Sequence, residues 1–132
     1  MTSHSIEGKV VLIAGGAKNL GGLIARDLAQ QGAKAVAIQA DLTTAAAVEK
    51  LFADASAAVG KPDIAINTVG KVLKKPITEI SEAEYDEMSA VNAKTAFFFI
   101  KEAGKHVNDN GKVLTLVTLD WFEELIDAHL EA

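Results

Sequence analysis

The chain of 132 residues contains no cysteine, only two prolines and a single tryptophan. The absence of cysteine excludes a disulfide framework and thiolate chemistry, and three isolated histidines (His4, His106 and His129) do not make a metal site. A net charge of −5 gives no electrostatic footprint for nucleic acid. No apolar run is long enough to span a bilayer, and residues 1–5 lack the apolar core of a signal peptide. We therefore expect a cytoplasmic protein with no metal and neither a nucleic-acid nor a membrane partner.

Four apolar segments alternate with four helical patterns along the chain. The predicted strands cover residues 9–14, 35–40, 63–69 and 112–118, and the predicted helices cover about 19–31, 44–58, 81–107 and 121–130. Thr43 or Thr44 can cap the second helix, Ser81 and Glu84 form a capping box, and a bend is expected near Asn92. Because helical crossovers between parallel strands are right-handed, the sequence predicts one doubly wound α/β domain over residues 1–132, with a four-stranded parallel sheet.

The segment from Val10 to Leu28 has the layout of a strand, a glycine-rich turn and a helix. Glycines at positions 15, 16, 21 and 22 let the backbone approach a pyrophosphate, and the next helix directs its unpaired N–H groups at the anion. In doubly wound sheets, ligands bind beyond the carboxyl ends of the strands. Residues 15–21, Asp41 and residues 67–70 are expected to converge there. The sequence therefore predicts a nucleotide site at this edge of the sheet.

These segments give the chain a resemblance to the short-chain dehydrogenase/reductase family over residues 8–118. Residues 14–21 resemble the glycine turn of the family, with Ala14 in place of its threonine and Asn19 in place of its middle glycine. Asp41-Leu42 resembles the family site at the adenine ring, residues 67–70 resemble its Asn-Ala-Gly segment, and Val91-Asn92 resembles the helix that carries its catalytic asparagine. The resemblance implies a cofactor-binding set: Gly15, Lys18, Asn19, Leu20, Gly21, Asp41, Leu42, Asn67, Val69 and Gly70.

Two features that the resemblance implies are missing. Only one strand fits between Gly32 and Asp41, where the family has a further helix and strand. Loss of that unit changes the strand order 3-2-1-4-5 into 2-1-3-4, the flavodoxin-like arrangement. Beyond Thr118 there is also no tyrosine and no lysine, which supply the proton donor and its partner in the family, and the only tyrosine is Tyr85. We therefore predict no catalytic residues.

Residues 119–132 do not resemble the family and have the regular pattern of an amphipathic helix. Five apolar residues share one face: Trp121, Phe122, Leu125, Ile126 and Leu130. We expect this helix to lie beside the first helix and to cover apolar sheet surface. Together with the missing unit, the segment favours the interpretation of a truncated and rebuilt, engineered protein.

The sequence leaves several hypotheses open. The leading one is a structural fold-model protein that is not an enzyme. The alternative is a module that retains NAD(P) or ADP binding, and an active oxidoreductase is third. We expect no tightly bound cofactor, at most weak NAD(P) binding, no partner other than a nucleotide, and a monomer or homodimer. Asp41 is either a helix-start residue or an adenine ligand, Asn67 is expected to bond backbone groups of neighbouring strands, and Asn92 is expected to hold a helix irregularity.

Overall fold

A computed structural model describes residues 5–15, 19–71 and 73–116, with the side chain of Asn19 outside the description. The strands are β1 (Val10–Ala14), β2 (Lys34–Ile38), β3 (Ile64–Asn67) and β4 (Lys112–Thr115). The α-helices are α1 (Asn19–Gln30), α2 (Ala45–Val59), α3 (Glu82–Ser89) and α4 (Thr95–His106). A 3-10 turn (Ile77–Glu79) precedes α3, and one turn of π-helix (Ala90–Lys94), called the π-turn below, joins α3 to α4. No helix within these described ranges is both long and apolar enough to cross a membrane.

The four strands form one parallel sheet in the order β2-β1-β3-β4, which confirms the predicted order. In the register of this sheet, Ile13 is the neighbour of Ala37 in β2 and of Ile66 in β3, and Ile66 is the neighbour of Leu114 in β4. Because the strands are parallel, all their carboxyl ends lie at the same edge of the sheet.

Helices cover both faces of the sheet, as the doubly wound prediction requires. On one face, α2 and α4 pack against each other, with Leu12, Phe52 and Phe99 fully buried between helices and sheet. The Phe52 and Phe99 rings are 5.2 Å apart at their centroids. On the other face, α1 packs on β2 and β1, where Val11 and Ile13 are fully buried. Leu12 is buried on one face and its sequence neighbours Val11 and Ile13 are buried on the other, because successive residues of a strand point to opposite faces.

The helix ends have the caps that their sequences predict. Thr44 rather than Thr43 is the N-cap of α2, since its side chain accepts a hydrogen bond from the Ala47 N–H at 3.2 Å. The capping box of α3 is complete: the Glu84 N–H donates to the Ser81 side chain at 3.1 Å, and the Glu84 carboxylate accepts from the Ser81 N–H at 3.0 Å. These local bonds fix where α2 and α3 begin.

Some predicted boundaries differ from those in the structure. The long helix predicted over residues 81–107 is divided by the π-turn, which contains Asn92 and confirms an irregularity there. β2 ends at Ile38 and β3 at Asn67, each two residues earlier than predicted. The predicted end of β4 at residues 117–118 and the predicted helix at 121–130 lie outside the described residues.

Candidate functional site

A cleft of about 260 Å³ lies where the carboxyl ends of β1, β2 and β3 meet. Its walls come from the turn after β1, the first turn of α1 and the loops after β2 and β3. Among the described residues, the lining consists of Gly15, Leu20, Gly21, Gln39, Ala40, Thr68, Val69 and Gly70. The structure thus brings together five of the residues predicted for cofactor binding: Gly15, Leu20, Gly21, Val69 and Gly70. The predicted residue Lys18 and the side chain of Asn19 lie outside the described part of the chain.

The turn after β1 is packed closely against the end of β3. Gly15 has φ +80°, and its N–H donates to the Ile38 carbonyl at 2.8 Å. A Cβ added to Gly15 would lie 2.9 Å from Thr68 Oγ1 and 3.2 Å from Val69 Cγ2. The Thr68 hydroxyl in turn donates to the Ala14 carbonyl at 2.8 Å. Glycine is therefore needed at position 15 both for its backbone angle and for the space beside it.

Asn67 is fully buried at the end of β3, beneath the cleft. Its Oδ1 accepts from the Val69 N–H at 3.0 Å, which shapes the loop that lines the cleft. The expected bond to neighbouring strands is wrong, because the short side chain reaches the N–H two residues ahead in its own loop, as asparagine commonly does in turns. Its Nδ2 has no hydrogen-bond partner among the residues that the structure describes.

Asp41 and Leu42 lie outside the cleft lining. The exposed Asp41 carboxylate accepts from the Thr43 hydroxyl at 2.6 Å and from the Thr43 N–H at 3.0 Å, and these two bonds hold its pKa below the ordinary value. Thr43 precedes Thr44, the N-cap of α2, so the Asp41 carboxylate bonds no N–H of that helix. The helix-start and the adenine-ligand interpretations both stay predictions. Leu42 is buried in the core, and its carbonyl accepts from the buried Thr95 hydroxyl at 2.9 Å. Thr95 thus ties the loop after β2 to the start of α4.

Asn92 anchors the loop that follows the cleft. Its Oδ1 accepts from the Lys71 N–H at 2.9 Å and its Nδ2 donates to the Lys71 carbonyl at 2.8 Å, while the residue is 6% exposed. Gly70 packs beside it, since a Cβ added there would meet Asn92 Oδ1 at 3.4 Å. Both polar atoms of Asn92 are therefore engaged in holding the backbone of this loop.

Two residues of the cleft lining lie outside the segments expected to converge there: Gln39 and Ala40. Thr68 belongs to the expected segment 67–70 but not to the predicted cofactor-binding set. Gln39 and Ala40 fall in the predicted second strand, but β2 ends at Ile38 and both residues belong to the loop beyond it. The rule that ligands bind past the carboxyl ends of neighbouring parallel strands finds both residues once β2 is known to end at Ile38. None of the eight described lining residues is charged, and the polar side chains among them are those of Gln39 and Thr68.

A family model described as Enoyl-(Acyl carrier protein) reductase matches residues 5–121. The chain belongs to the short-chain dehydrogenase/reductase family. Its curated relatives in this family include Elsinochrome reductase 1 of Elsinoe fawcettii, with 29% identity over 88% of this chain and 53% of that protein. Another is the hydroxynaphthalene reductase-like protein Arp2 of Metarhizium brunneum, with 30% identity over 87% of this chain and 52% of that protein. The chain thus spans about half the length of the curated relatives it matches.

Among solved structures, a protein from Burkholderia cenocepacia, described as a dehydrogenase and solved with NADP bound, is 61% identical to this chain. The match has a TM-score of 0.81 and covers 89% of this chain and 55% of that chain. A short-chain dehydrogenase from Oenococcus oeni is 45% identical, with a TM-score of 0.70, over 89% of this chain and 65% of that one.

The alignment to Elsinochrome reductase 1 also bears on the missing helix and strand. It runs over 141 residues but covers 88% of this chain, which is about 116 residues, so about 25 positions of the relative have no counterpart here. That total would be enough for one helix and one strand with their connections. The loss of one unit between α1 and Asp41 stays a prediction.

Proposed function

We propose that this chain binds NAD(P), or the ADP part of it, weakly in the cleft and does not reduce a carbonyl group. The observation that carries the proposal is the convergence of the glycine turn, the loop after β2 and residues 68–70 on one cleft at the carboxyl edge of the sheet. Parallel α/β sheets bind nucleotides at this edge. The similar Burkholderia cenocepacia structure with bound NADP supports the same ligand class.

The residues of the cleft fit a pyrophosphate. Gly15 has no side chain to occupy the turn, and the first turn of α1 contributes Leu20 and Gly21 to the lining. The N–H groups in the first turn of a helix lack partners within the helix and attract anions. That turn contains no acidic residue, so no carboxylate there repels a phosphate. The backbone of this segment would hold the phosphates.

The size of the cleft favours weak binding. Sites that enclose a complete small-molecule ligand measure roughly 300–1,000 Å³. A cleft of about 260 Å³ encloses only part of a dinucleotide, and the remainder stays in contact with solvent. The absence of a charged side chain from the lining also leaves the phosphates without a direct ion pair among these residues.

The cleft residues do not supply acid-base chemistry. NAD(P)H, when bound, supplies a hydride, and carbonyl reduction also needs a proton donor near the reacting oxygen. Among the eight described lining residues only Thr68 has a hydroxyl, and it donates to the Ala14 carbonyl. Tyr85 lies on α3 and is 54% exposed, outside the lining. Residues 119–132 add neither tyrosine nor lysine. These observations support binding without turnover.

The proposal is tested by titrating the chain with NADPH and with ADP while its melting temperature and the nicotinamide fluorescence are recorded. We expect a saturable rise in melting temperature with both ligands and no consumption of NADPH when carbonyl compounds are added. Gly15→Ala should abolish the rise. Gly8→Ala is the matched control, because Gly8 has φ +75° and an added Cβ meets nothing within 4 Å.

Each possible result separates the hypotheses. The absence of a shift at saturating ligand in the unaltered chain contradicts the binding proposal and favours the fold-model protein without a ligand. Consumption of NADPH with a carbonyl compound contradicts the proposal that the chain is not an enzyme. A shift that survives Gly15→Ala places the ligand elsewhere and also contradicts the proposed site.

A further inference from the structure

One face of the sheet becomes progressively more exposed from β1 to β4. Ile13, Ile66 and Leu114 are neighbours across the sheet and point to the same face. Their exposed fractions are 0%, 8% and 46%. Helix α1 packs on β2 and β1 on this face, which explains the burial of Ile13. The apolar surface over β3 and β4 is not covered to the same extent.

This uncovered surface is larger than one side chain. Leu116 follows β4 with the same alternation as Leu114 and is 43% exposed. Ile64, on the same face of β3, is only partly buried. Parallel sheets occur almost only with both faces covered, since their strands are apolar on both sides. We call Ile64, Leu114 and Leu116 the open face.

We propose that residues 119–132 of the same chain pack on the open face, beside α1. The opposite face is occupied, because α2 and α4 pack on each other there and α4 also packs on β3 and β4. On that opposite face Val113 of β4 is 41% exposed beside α4, whereas on the side of α1 the helix packs on β2 and β1 and both Leu114 and Leu116 are exposed. A segment that leaves the carboxyl end of β4 and turns back along the sheet therefore finds the larger uncovered apolar surface on the side of α1. This placement is independent of nucleotide binding.

The composition and length of residues 119–132 fit this surface. As a helix, residues 121–130 would span about 15 Å at 1.5 Å per residue. A four-residue strand such as β3 or β4 spans about 13 Å. The apolar side of the segment, with Trp121, Leu125 and Ile126, would meet the open face, and its acidic side, with Glu124 and Asp127, would face water.

Trp121 is the only tryptophan, so its fluorescence reports on this segment alone. We expect quenching by acrylamide to be several-fold weaker in the native chain than in urea. Leu114→Glu places a charge on the open face and should raise the quenching towards the value in urea. Ile77→Glu is the matched control, because Ile77 is also 46% exposed but lies in the 3-10 turn before α3. It should leave the quenching unchanged.

A second measurement does not depend on the tolerance of the fold for a buried charge. The chain has no cysteine, so a pair introduced by Leu114→Cys and Leu125→Cys can react only with each other or between chains. We expect mild oxidation to give an intramolecular disulfide faster in this pair than in the control pair Ile77→Cys and Leu125→Cys. A disulfide requires Cα atoms within about 7 Å, so the comparison reports proximity.

Four results would overturn the proposal. The first is quenching in the native chain as strong as in urea, and the second is equal quenching in Leu114→Glu and Ile77→Glu. The third is protection of Trp121, or a disulfide between chains, that increases with protein concentration, because a second copy would then cover the open face. Cysteine pairs that oxidise at equal rates contradict the same placement.

Discussion

Replacement of Gly15 by alanine should destabilise the fold more than the same replacement at Gly8. Both glycines have a positive φ, +80° and +75°, so an alanine at either position has a similar backbone strain of about 1–2 kcal/mol. Only at Gly15 does the new Cβ also crowd its neighbours, at 2.9 Å from Thr68 Oγ1. The comparison therefore isolates the effect of close packing from the effect of backbone strain.

The extra loss at Gly15 can be worked from the contacts. If Thr68 moves away from the new Cβ, its hydroxyl loses the 2.8 Å bond to the Ala14 carbonyl, a loss of about 1 kcal/mol. Displacement of Val69, 3.2 Å from the Cβ, adds an overpacking cost of about 1 kcal/mol. We therefore expect Gly15→Ala to lower the free energy of unfolding by about 3–4 kcal/mol and Gly8→Ala by about 1–2 kcal/mol.

Equilibrium unfolding in urea, followed by far-ultraviolet circular dichroism, measures both losses. The slope of the free energy against urea concentration should be unchanged, since neither variant alters the surface that unfolding exposes. Equal losses in the two variants would refute the packing argument and would assign the need for glycine at position 15 to its backbone angle alone. The double variant Gly15→Ala with Thr68→Ala should recover part of the stability that Gly15→Ala alone loses, because the crowded Thr68 hydroxyl is removed.

Three further predictions follow from single side chains. Asn92→Ala leaves the N–H and the carbonyl of Lys71 without their partners and should cost about 1–3 kcal/mol, with faster amide exchange at Lys71 than in the unaltered chain. Thr95→Val keeps the shape but loses the hydroxyl bond to the loop after β2, and urea unfolding should show a loss of about 1 kcal/mol. Hydrogen bonds from the Val10 N–H and the Asn108 amide lower the pKa of the Asp63 carboxyl in the folded chain below its ordinary value. These bonds therefore stabilise the fold fully above the pKa of the unfolded chain, near 4, and the stabilisation is lost as the pH falls through the lower pKa of the folded chain. The free energy of unfolding should therefore depend less on pH in Asp63→Asn than in the unaltered chain. It is measured from pH 3 to pH 7, roughly one unit below to three units above the pKa of the unfolded carboxyl.

The parts of the fold that follow from local sequence could be predicted. The capping box at Ser81 and the cap at Thr44 depend on side chains within three residues of each other, so their pattern is visible in the sequence. The strand order could also be predicted, but through the family resemblance. The room between Gly32 and Asp41 admits only one strand, and removal of one unit from the family order 3-2-1-4-5 gives 2-1-3-4.

The parts of the site that depend on distant contacts could not be predicted. Thr95 bonds the carbonyl of Leu42, 53 positions earlier in the chain, and no local pattern indicates that contact. Asn92 likewise meets Lys71 across 21 positions. The sequence pattern ends β2 and β3 two residues too late, because Ala40 and Val69 are apolar residues just beyond the strands and periodicity alone does not mark where pairing stops.

The glycine turn has a structural role in the fold, in addition to any role in binding a ligand. Gly15 admits Thr68 and Val69, and Thr68 closes back on Ala14, so the same atoms that line the cleft also join the ends of β1 and β3. Even in a chain that bound no nucleotide, glycine at position 15 would still be required for this packing. Its presence therefore supports the family and the fold more strongly than it supports binding. A test of binding has to compare variants at equal backbone strain, which the Gly8 control provides.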